Sequence, residues 1–143
     1  MNLLYLIPGL RILLGILFIM TGALKLPNLK GFSVIVASYG LLPRRLVKPA
    51  AYALPIAEFF VGCWILSGKY LLYSASAGFL LILAANVFVL SGLIQKKKIE
   101  NCGCYGADIK IPLNWKKFAE NIVWTALFIV LILAARQAML SYS

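Results

Sequence analysis

Four long apolar stretches dominate the sequence and constrain its fold more than any other feature. They cover residues 3–24, 49–68, 70–95 and 118–135, and each is near the ~20 residues that a helix needs to cross ~30 Å of hydrocarbon. Inside a bilayer each backbone polar group must be satisfied within its own segment, which a helix achieves. We therefore predict an all-α, four-transmembrane-helix bundle that forms a single domain over residues 1–143.

The composition also indicates a lipid environment. Hydrophobic residues make up 63% of the chain and charged residues 13%, whereas a soluble domain has roughly 45–50% and about 25%. The net charge is +10 and histidine is absent. Because the basic residues flank the apolar spans without interleaved aromatic residues, we expect them to meet the lipid bilayer and not nucleic acid. The lack of histidine excludes zinc sites built from Cys and His, and we expect no metal.

The connections between the spans differ in kind. After the first span, an apolar segment over residues 32–39 is followed by the breaker Gly40–Pro43, which predicts a short interfacial helix and a turn. Gly68–Lys69 predicts a tight turn between the second and third spans. The third connection, residues 96–117, is long and polar, and Asn114 near its end is a suitable N-cap for the fourth span.

Basic residues are distributed unequally between the two sides of the predicted bundle. The side with the two long connections carries eleven of the 14 Lys and Arg residues, and the side with the termini carries three. The positive-inside rule therefore predicts an inner-membrane protein with residues 96–117 in the cytoplasm. In the alternative orientation, these residues lie in the periplasm and exchange oxidising equivalents there directly.

Two cysteines separated by one glycine, Cys102 and Cys104, lie in the polar loop 96–117. Thiols at this spacing can close a tight and therefore relatively reducible disulfide. The six lysines of the loop favour the thiolate, which is the form that attacks disulfides. We therefore interpret Cys102 and Cys104 as a catalytic thiol–disulfide pair. In the cytosol such a pair would be an electron donor or a transient disulfide.

Two ionisable residues interrupt the first two spans, and such residues within a membrane suggest function. Arg11 lies ~21 Å along its helix from Lys25, and Glu58 lies ~18 Å along its helix from Leu46. Because these depths match, we predict a buried Arg11–Glu58 ion pair. Two interpretations stay open: the pair fixes helix register, or Glu58 relays a proton during redox chemistry.

Several smaller or less polar residues also lie at membrane depth. We expect three polar side chains in the third and fourth spans to form hydrogen bonds between helices: Asn86, Asn121 and Thr125. Cys63 is interpreted as a small apolar residue buried in the second span, or alternatively as a membrane-embedded relay thiol. Its separation of five residues from Glu58 does not favour the relay, because the two do not share a helix face. Five glycines predict close helix approach: Gly15, Gly22, Gly62, Gly78 and Gly92.

The chain resembles a known family of membrane proteins, the MauE branch of the DoxX-like four-helix proteins. The resemblance covers nearly the whole chain, and the Cys-Gly-Cys motif before the fourth span is its most specific part. In the family an aromatic residue and glycine, often Phe-Gly, follow this motif; here they are Tyr105 and Gly106. The matching positions are Arg11, Gly15, Phe18, Gly22, Lys25–Leu26, Tyr39–Pro43, Leu54–Glu58, Gly62 and Cys102–Gly106.

The resemblance implies a redox-associated membrane protein with a thioredoxin-like partner. It further implies an accessory role in methylamine utilisation, in the maturation of methylamine dehydrogenase, a periplasmic enzyme rich in disulfides. By loose analogy with vitamin K epoxide reductase, another four-helix membrane protein, a quinone is the cofactor to consider.

The sequence thus favours an integral membrane protein that takes part in thiol–disulfide exchange. If the protein is an enzyme, we expect it to be a thiol–disulfide oxidoreductase. Two alternatives stay open. One is a non-catalytic membrane assembly or scaffold subunit, in which the cysteine loop is a docking element. The other is a small-solute transporter subunit, for which the four helices would have to form an oligomer.

Overall fold

The computed structural model describes residues 3–95 and 114–141, and the regular elements in these ranges are all helices. Four helical segments are long and apolar enough to span a membrane, and the first of them joins α1 and α2. The predicted all-α, four-span architecture is confirmed. The helices are α1 (Ile7–Lys25), α2 (Leu29–Tyr39), α3 (Arg44–Ser67), α4 (Leu71–Ile94) and α5 (Trp115–Ser141), with short 3-10 turns at Leu3–Leu6 and Leu26–Asn28.

The outer surface of the bundle is apolar. Large hydrophobic side chains on each long helix are more than half exposed, for example Ile16, Phe60, Leu80 and Val123. Exposed apolar surface on this scale is unfavourable in water and suited to lipid tails. Together with the four long helices, this surface makes the chain a multi-pass membrane protein.

Helix α2 packs beside the N-terminal half of α3. Its start is capped by Asn28, whose Oδ1 accepts a hydrogen bond from the Gly31 amide at 2.9 Å, and it ends at Gly40, which has a left-handed φ of 71°. Phe32 and Val36 are buried against Ala51 of α3. The predicted helix and turn after the first span are therefore confirmed, and the interfacial depth of α2 stays a prediction.

The helices extend beyond the apolar stretches at several ends. Helix α3 begins at Arg44, before the apolar stretch. Exposed basic side chains limit the apolar stretch, because they are unfavourable in hydrocarbon, but they do not prevent the backbone from forming a helix. Asn114 caps α5 as predicted: its Oδ1 accepts a hydrogen bond from the Lys117 amide at 2.9 Å. The predicted tight turn is also present, since Gly68 ends α3 with a left-handed φ of 75°.

Glycines bring α1 and α3 into backbone contact. A Cβ on Gly62 would lie 2.8 Å from the carbonyl oxygen of Gly15 and 2.8 Å from the amide of Ile19. A Cβ on Gly22 would lie 2.7 Å from the carbonyl oxygen of Pro55. The two helices are antiparallel, so these contacts fix which residues of α1 lie level with which residues of α3. The predicted close approach is confirmed for this helix pair.

We expect Gly62→Ala to destabilise the protein by about 1–3 kcal/mol, because the added methyl group meets backbone that cannot rotate away. The measurement is the thermal midpoint of unfolding of the detergent-solubilised protein. Gly9→Ala is the matched control, since a Cβ at Gly9 meets nothing within 4 Å and alanine favours a helix more than glycine does. Equal midpoints for the two variants would contradict the packing described here.

Candidate ion-pair site in the helix bundle

A buried ion pair between Lys25 and Glu58 forms the centre of the candidate site. The Lys25 ammonium lies 2.8 Å from both carboxylate oxygens of Glu58. The hydroxyl of Thr21 is 3.3 Å from Oε2 of Glu58 and 3.2 Å from the carbonyl oxygen of Phe18, and it can donate to only one of them at a time. The two charged side chains are only 7% and 13% exposed. The charges therefore compensate each other inside the bundle.

The local sequence explains why Lys25 is buried. It is in the last turn of α1, where a cation interacts favourably with the helix dipole. The 3-10 turn Leu26–Asn28 then redirects the chain into α2, which covers the pair. The ring of Phe32 on α2 lies with its centroid 5.3 Å from the Lys25 ammonium, a cation–π distance. Lys25 therefore does not extend its side chain towards the membrane surface, as a lysine at the end of a span often does.

The predicted Arg11–Glu58 pair is wrong. Arg11 instead donates hydrogen bonds from Nε to the carbonyl oxygen of Ile65 at 3.2 Å and from Nη2 to that of Leu66 at 2.6 Å. These carbonyls are in the last turn of α3, where the usual partner four residues on is missing, and that of Ile65 also accepts a hydrogen bond from the Gly68 amide at 3.2 Å. The depth comparison fails because the N-terminal half of α3 lies beside α2, so Glu58 is level with the C-terminal part of α1.

Two small cavities flank the ion pair, each of about 50 Å³. The first, here called the α2 cavity, lies among α2, α3 and α4 and has an aromatic wall that includes Phe32, Tyr39 and Phe88. The second, the α5 cavity, lies among α1, α3, α4 and α5. Lys25 and Glu58 line both. The charged pair is thus in contact with internal space on two sides.

The α5 cavity has a polar wall supplied by one face of α5. Lys117, Asn121 and Trp124 all line it. Lys117 is buried, and its ammonium donates to the carboxylate of Glu120 at 3.1 Å. Asn121 Nδ2 and Trp124 Nε1 are buried and have no hydrogen-bond partner within the described part of the chain. Leaving a buried donor unpaired typically costs about 1–3 kcal/mol, so these two atoms need an explanation.

One hydrogen bond between α4 and α5 confirms the prediction for two of the three polar residues. Asn86 Nδ2 donates to the hydroxyl of Thr125 at 2.7 Å, and that hydroxyl lies 2.8 Å from the carbonyl oxygen of Asn121. The side-chain amide nitrogen of Asn121 does not take part. It lines the α5 cavity instead.

The three cysteines have different outcomes. Cys63 is a free thiol, exposed on the outside of α3, so the expectation that it packs as a buried residue is wrong: this face of α3 is turned away from the other helices. Its interpretation as a relay thiol is not tested. Cys102 and Cys104 lie outside the described residues, in the segment that connects Gln95 after α4 to Asn114 before α5.

The Lys25–Glu58 ion pair lies towards the end of the bundle at which the segment between α4 and α5 is attached. Helix α1 ends, α4 ends and α5 begins at the same side, and Lys117 is in the first turn of α5. The α5 cavity therefore extends from Lys117, close to the point where the cysteine-bearing segment joins α5, to Glu58 in the middle of α3.

The sequence analysis missed Lys25, Lys117 and Trp124 as site residues, because a basic residue at a span end suggests snorkelling and an aromatic one suggests an interfacial belt. Helical spacing is the signal that could have found them. Lys117, Asn121 and Trp124 recur at intervals of four and three residues, which places them on one face of α5. Thr21 and Lys25 share a face of α1 in the same way.

A larger open cleft of about 620 Å³ lies at the opposite end of the bundle and is lined in part by Arg11, Tyr70 and Tyr73. Pockets for cofactor-sized ligands usually measure roughly 300–1,000 Å³. A quinone ring therefore does not fit in either cavity beside the ion pair, although the cleft has the volume for one. The quinone suggested by analogy stays a prediction, and no step is assigned to it.

Breaking the ion pair from one side should destabilise the fold strongly. We expect Lys25→Met to lower the free energy of unfolding by about 3–5 kcal/mol, because the Glu58 carboxylate is left buried without its counter-charge. Adding Glu58→Leu should recover most of that loss, since no charge then remains. A double-mutant cycle measured by reversible unfolding in detergent tests this. Simple additivity of the two substitutions would show that the residues do not interact.

Comparison with known proteins places the chain in a family. The model of the family described as "Methylamine utilisation protein MauE" matches residues 1–135. The methylamine utilization proteins MauE of Paracoccus denitrificans and Paracoccus versutus are each 27% identical over 119 residues, which cover 83% of this chain and 64% of each relative. The matched part thus spans less than two thirds of these relatives. No solved structure matches the chain. On the family match over nearly its whole length, the chain belongs to the MauE family of membrane proteins.

Proposed function

We propose that the protein is a membrane thiol–disulfide redox component that exchanges electrons through Cys102 and Cys104 with a thioredoxin-like partner. By similarity to the two Paracoccus proteins, whose names assign them to methylamine utilization, we further propose an accessory role in that process. We also propose that the MauE family is a branch of the DoxX-like membrane proteins. The observation that carries it is the charged site beside the attachment point of the cysteine-bearing segment.

The proposed exchange balances without any further reagent. The thiolate of one cysteine attacks a sulfur of the partner's disulfide, and the partner's other sulfur leaves as a thiolate. The second cysteine, as its thiolate, then attacks the mixed disulfide, which forms the Cys102–Cys104 disulfide and releases the partner as a dithiol. Two electrons pass to the partner. The same steps run in reverse when the partner arrives as the dithiol.

The described residues give this exchange an electrostatic setting. Lys25 and Lys117, at the end of the bundle to which the cysteine segment is attached, are each paired with a carboxylate, of Glu58 and of Glu120, so their charges are largely compensated. Lys116 and Lys117 open α5 directly after that segment. Positive charge near a thiol favours the thiolate. The Glu58 side chain is only 13% exposed, and we assign to it either a structural role or the transfer of protons that accompanies thiol chemistry.

The orientation of the loop belongs to the proposal as well. The charge distribution favours an inner-membrane protein with the cysteine segment in the cytoplasm. A role in maturing a periplasmic enzyme would suit the opposite orientation. A membrane-impermeant maleimide, applied to intact cells of the Cys63→Ala variant with and without prior reduction, distinguishes these orientations. Once Cys102 and Cys104 are reduced, it labels them only if they are outside.

We expect Cys102→Ser and Cys104→Ser each to abolish partner turnover while leaving the amount of protein in the membrane unchanged, because each thiol is needed to form and to resolve the mixed disulfide. The measurement is the redox state of the partner, followed by alkylation and gel shift. Cys63→Ser is the matched control and should behave as the wild type. Full turnover in the Cys102→Ser variant would exclude the proposed exchange and favour a scaffold.

A further inference from the structure

We propose that the α5 cavity is an internal hydration site, in which Asn121 and Trp124 hold ordered water that also contacts the carboxylate of Glu58. Asn121 and Trp124, which would hold this water, have no part in the proposed thiol exchange, although the water would contact Glu58. The inference therefore goes beyond the proposed function and does not depend on it.

Two unpaired donors are the first observation. Asn121 Nδ2 and Trp124 Nε1 are buried and lack a hydrogen-bond partner among the described residues. They are separated by one helical turn of α5, and both residues line the same cavity. An indole N–H can only donate, and an amide nitrogen likewise. The occupant that satisfies them must therefore offer an acceptor oxygen to each.

The size of the cavity identifies that occupant. Its volume of about 50 Å³ accommodates about three to five water molecules, because one water needs roughly 10–15 Å³ measured in this way. A buried water also needs two to four polar partners. The cavity provides them, since Thr21, Lys25, Glu58 and Lys117 line it together with Asn121 and Trp124. Water meets both requirements.

Hydration at this position would connect two parts of the site. Water bound to Asn121 and Trp124 lies between Lys117 in the first turn of α5 and Glu58 on α3, because all of these residues line one cavity. A carboxylate in contact with such water can exchange protons without the Lys25–Glu58 pair having to open. Asn121 and Trp124 are then positioning residues, which act through the water that they hold.

Water-edited solid-state NMR of the indole-labelled protein in lipid bilayers tests this directly. The signals of Trp64, Trp115 and Trp124 are assigned with single Trp→Phe variants. We expect the Trp124 N–H to receive magnetisation from water nearly as fast as that of Trp115, whose side chain is 59% exposed. A Trp124 N–H that receives no water magnetisation in the wild type would overturn the proposal.

Substitutions that remove the water should slow this transfer several-fold. Asn121→Leu removes one donor and fills the space, and Ala85→Leu fills the cavity from α4 without touching either donor. Thr125→Val is the matched control, since it removes the hydrogen bond to Asn86 but does not line the cavity. Unchanged transfer in both filling variants, with folding verified by thermal unfolding, would likewise contradict internal hydration. The wild-type spectrum decides the question even if a variant fails to fold.

Discussion

The backbone contact between α1 and α3 sets the positions of the charged residues in the bundle. Because glycines at positions 15, 22 and 62 let the helices touch, the antiparallel register is fixed within a turn. That register brings Arg11 to the last carbonyls of α3 and Lys25 to Glu58. Arg11 thus binds the last carbonyls of α3 at one end of the helix pair, and Lys25 compensates the Glu58 carboxylate nearer the other end.

Burial of an ion pair in a membrane protein needs a reason, since replacement by apolar residues is often neutral or stabilising. Here the pair adjoins two cavities and lies at the end of the bundle that carries the cysteine segment. A purely structural pair would not require the polar wall formed by Asn121 and Trp124, whose donors are unpaired among the described residues. These features form a polar, charged site at the end of the bundle to which the cysteine segment is attached.

Much of the fold follows from the sequence, because hydrophobic stretches of membrane length permit few structures. The four spans, the helix after the first span, the turn at Gly68 and the cap at Asn114 are all predicted correctly. Helix ends are less accurate, since basic residues such as Arg44 continue a helix beyond the apolar stretch. The partner of Glu58 could not be predicted, because it depends on which residues of α1 lie level with Glu58. That alignment follows from the packing of α2 beside the N-terminal half of α3, which is a property of the tertiary structure.

The same limit applies to the rest of the site. Asn86 and Thr125 were expected to bond between helices, and they do. Lys117 ends the polar connection 96–117, and a tryptophan such as Trp124 is common near the membrane–water interface, so neither residue type points to a buried site. Only the packing of α5 against α1 and α4 shows that they line a common cavity with Glu58.

The central claim is that Cys102 and Cys104 exchange a disulfide with a thioredoxin-like protein. The most direct measurement is covalent trapping in cells that carry single-cysteine variants, Cys102→Ser or Cys104→Ser on a Cys63→Ala background, followed by peptide-level mass spectrometry. The account predicts a reducible adduct that joins the remaining cysteine of the pair to a cysteine of a thioredoxin-fold protein, and its absence in the variant lacking both. If neither variant yields such an adduct while the protein is fully present in the membrane, the claim is contradicted.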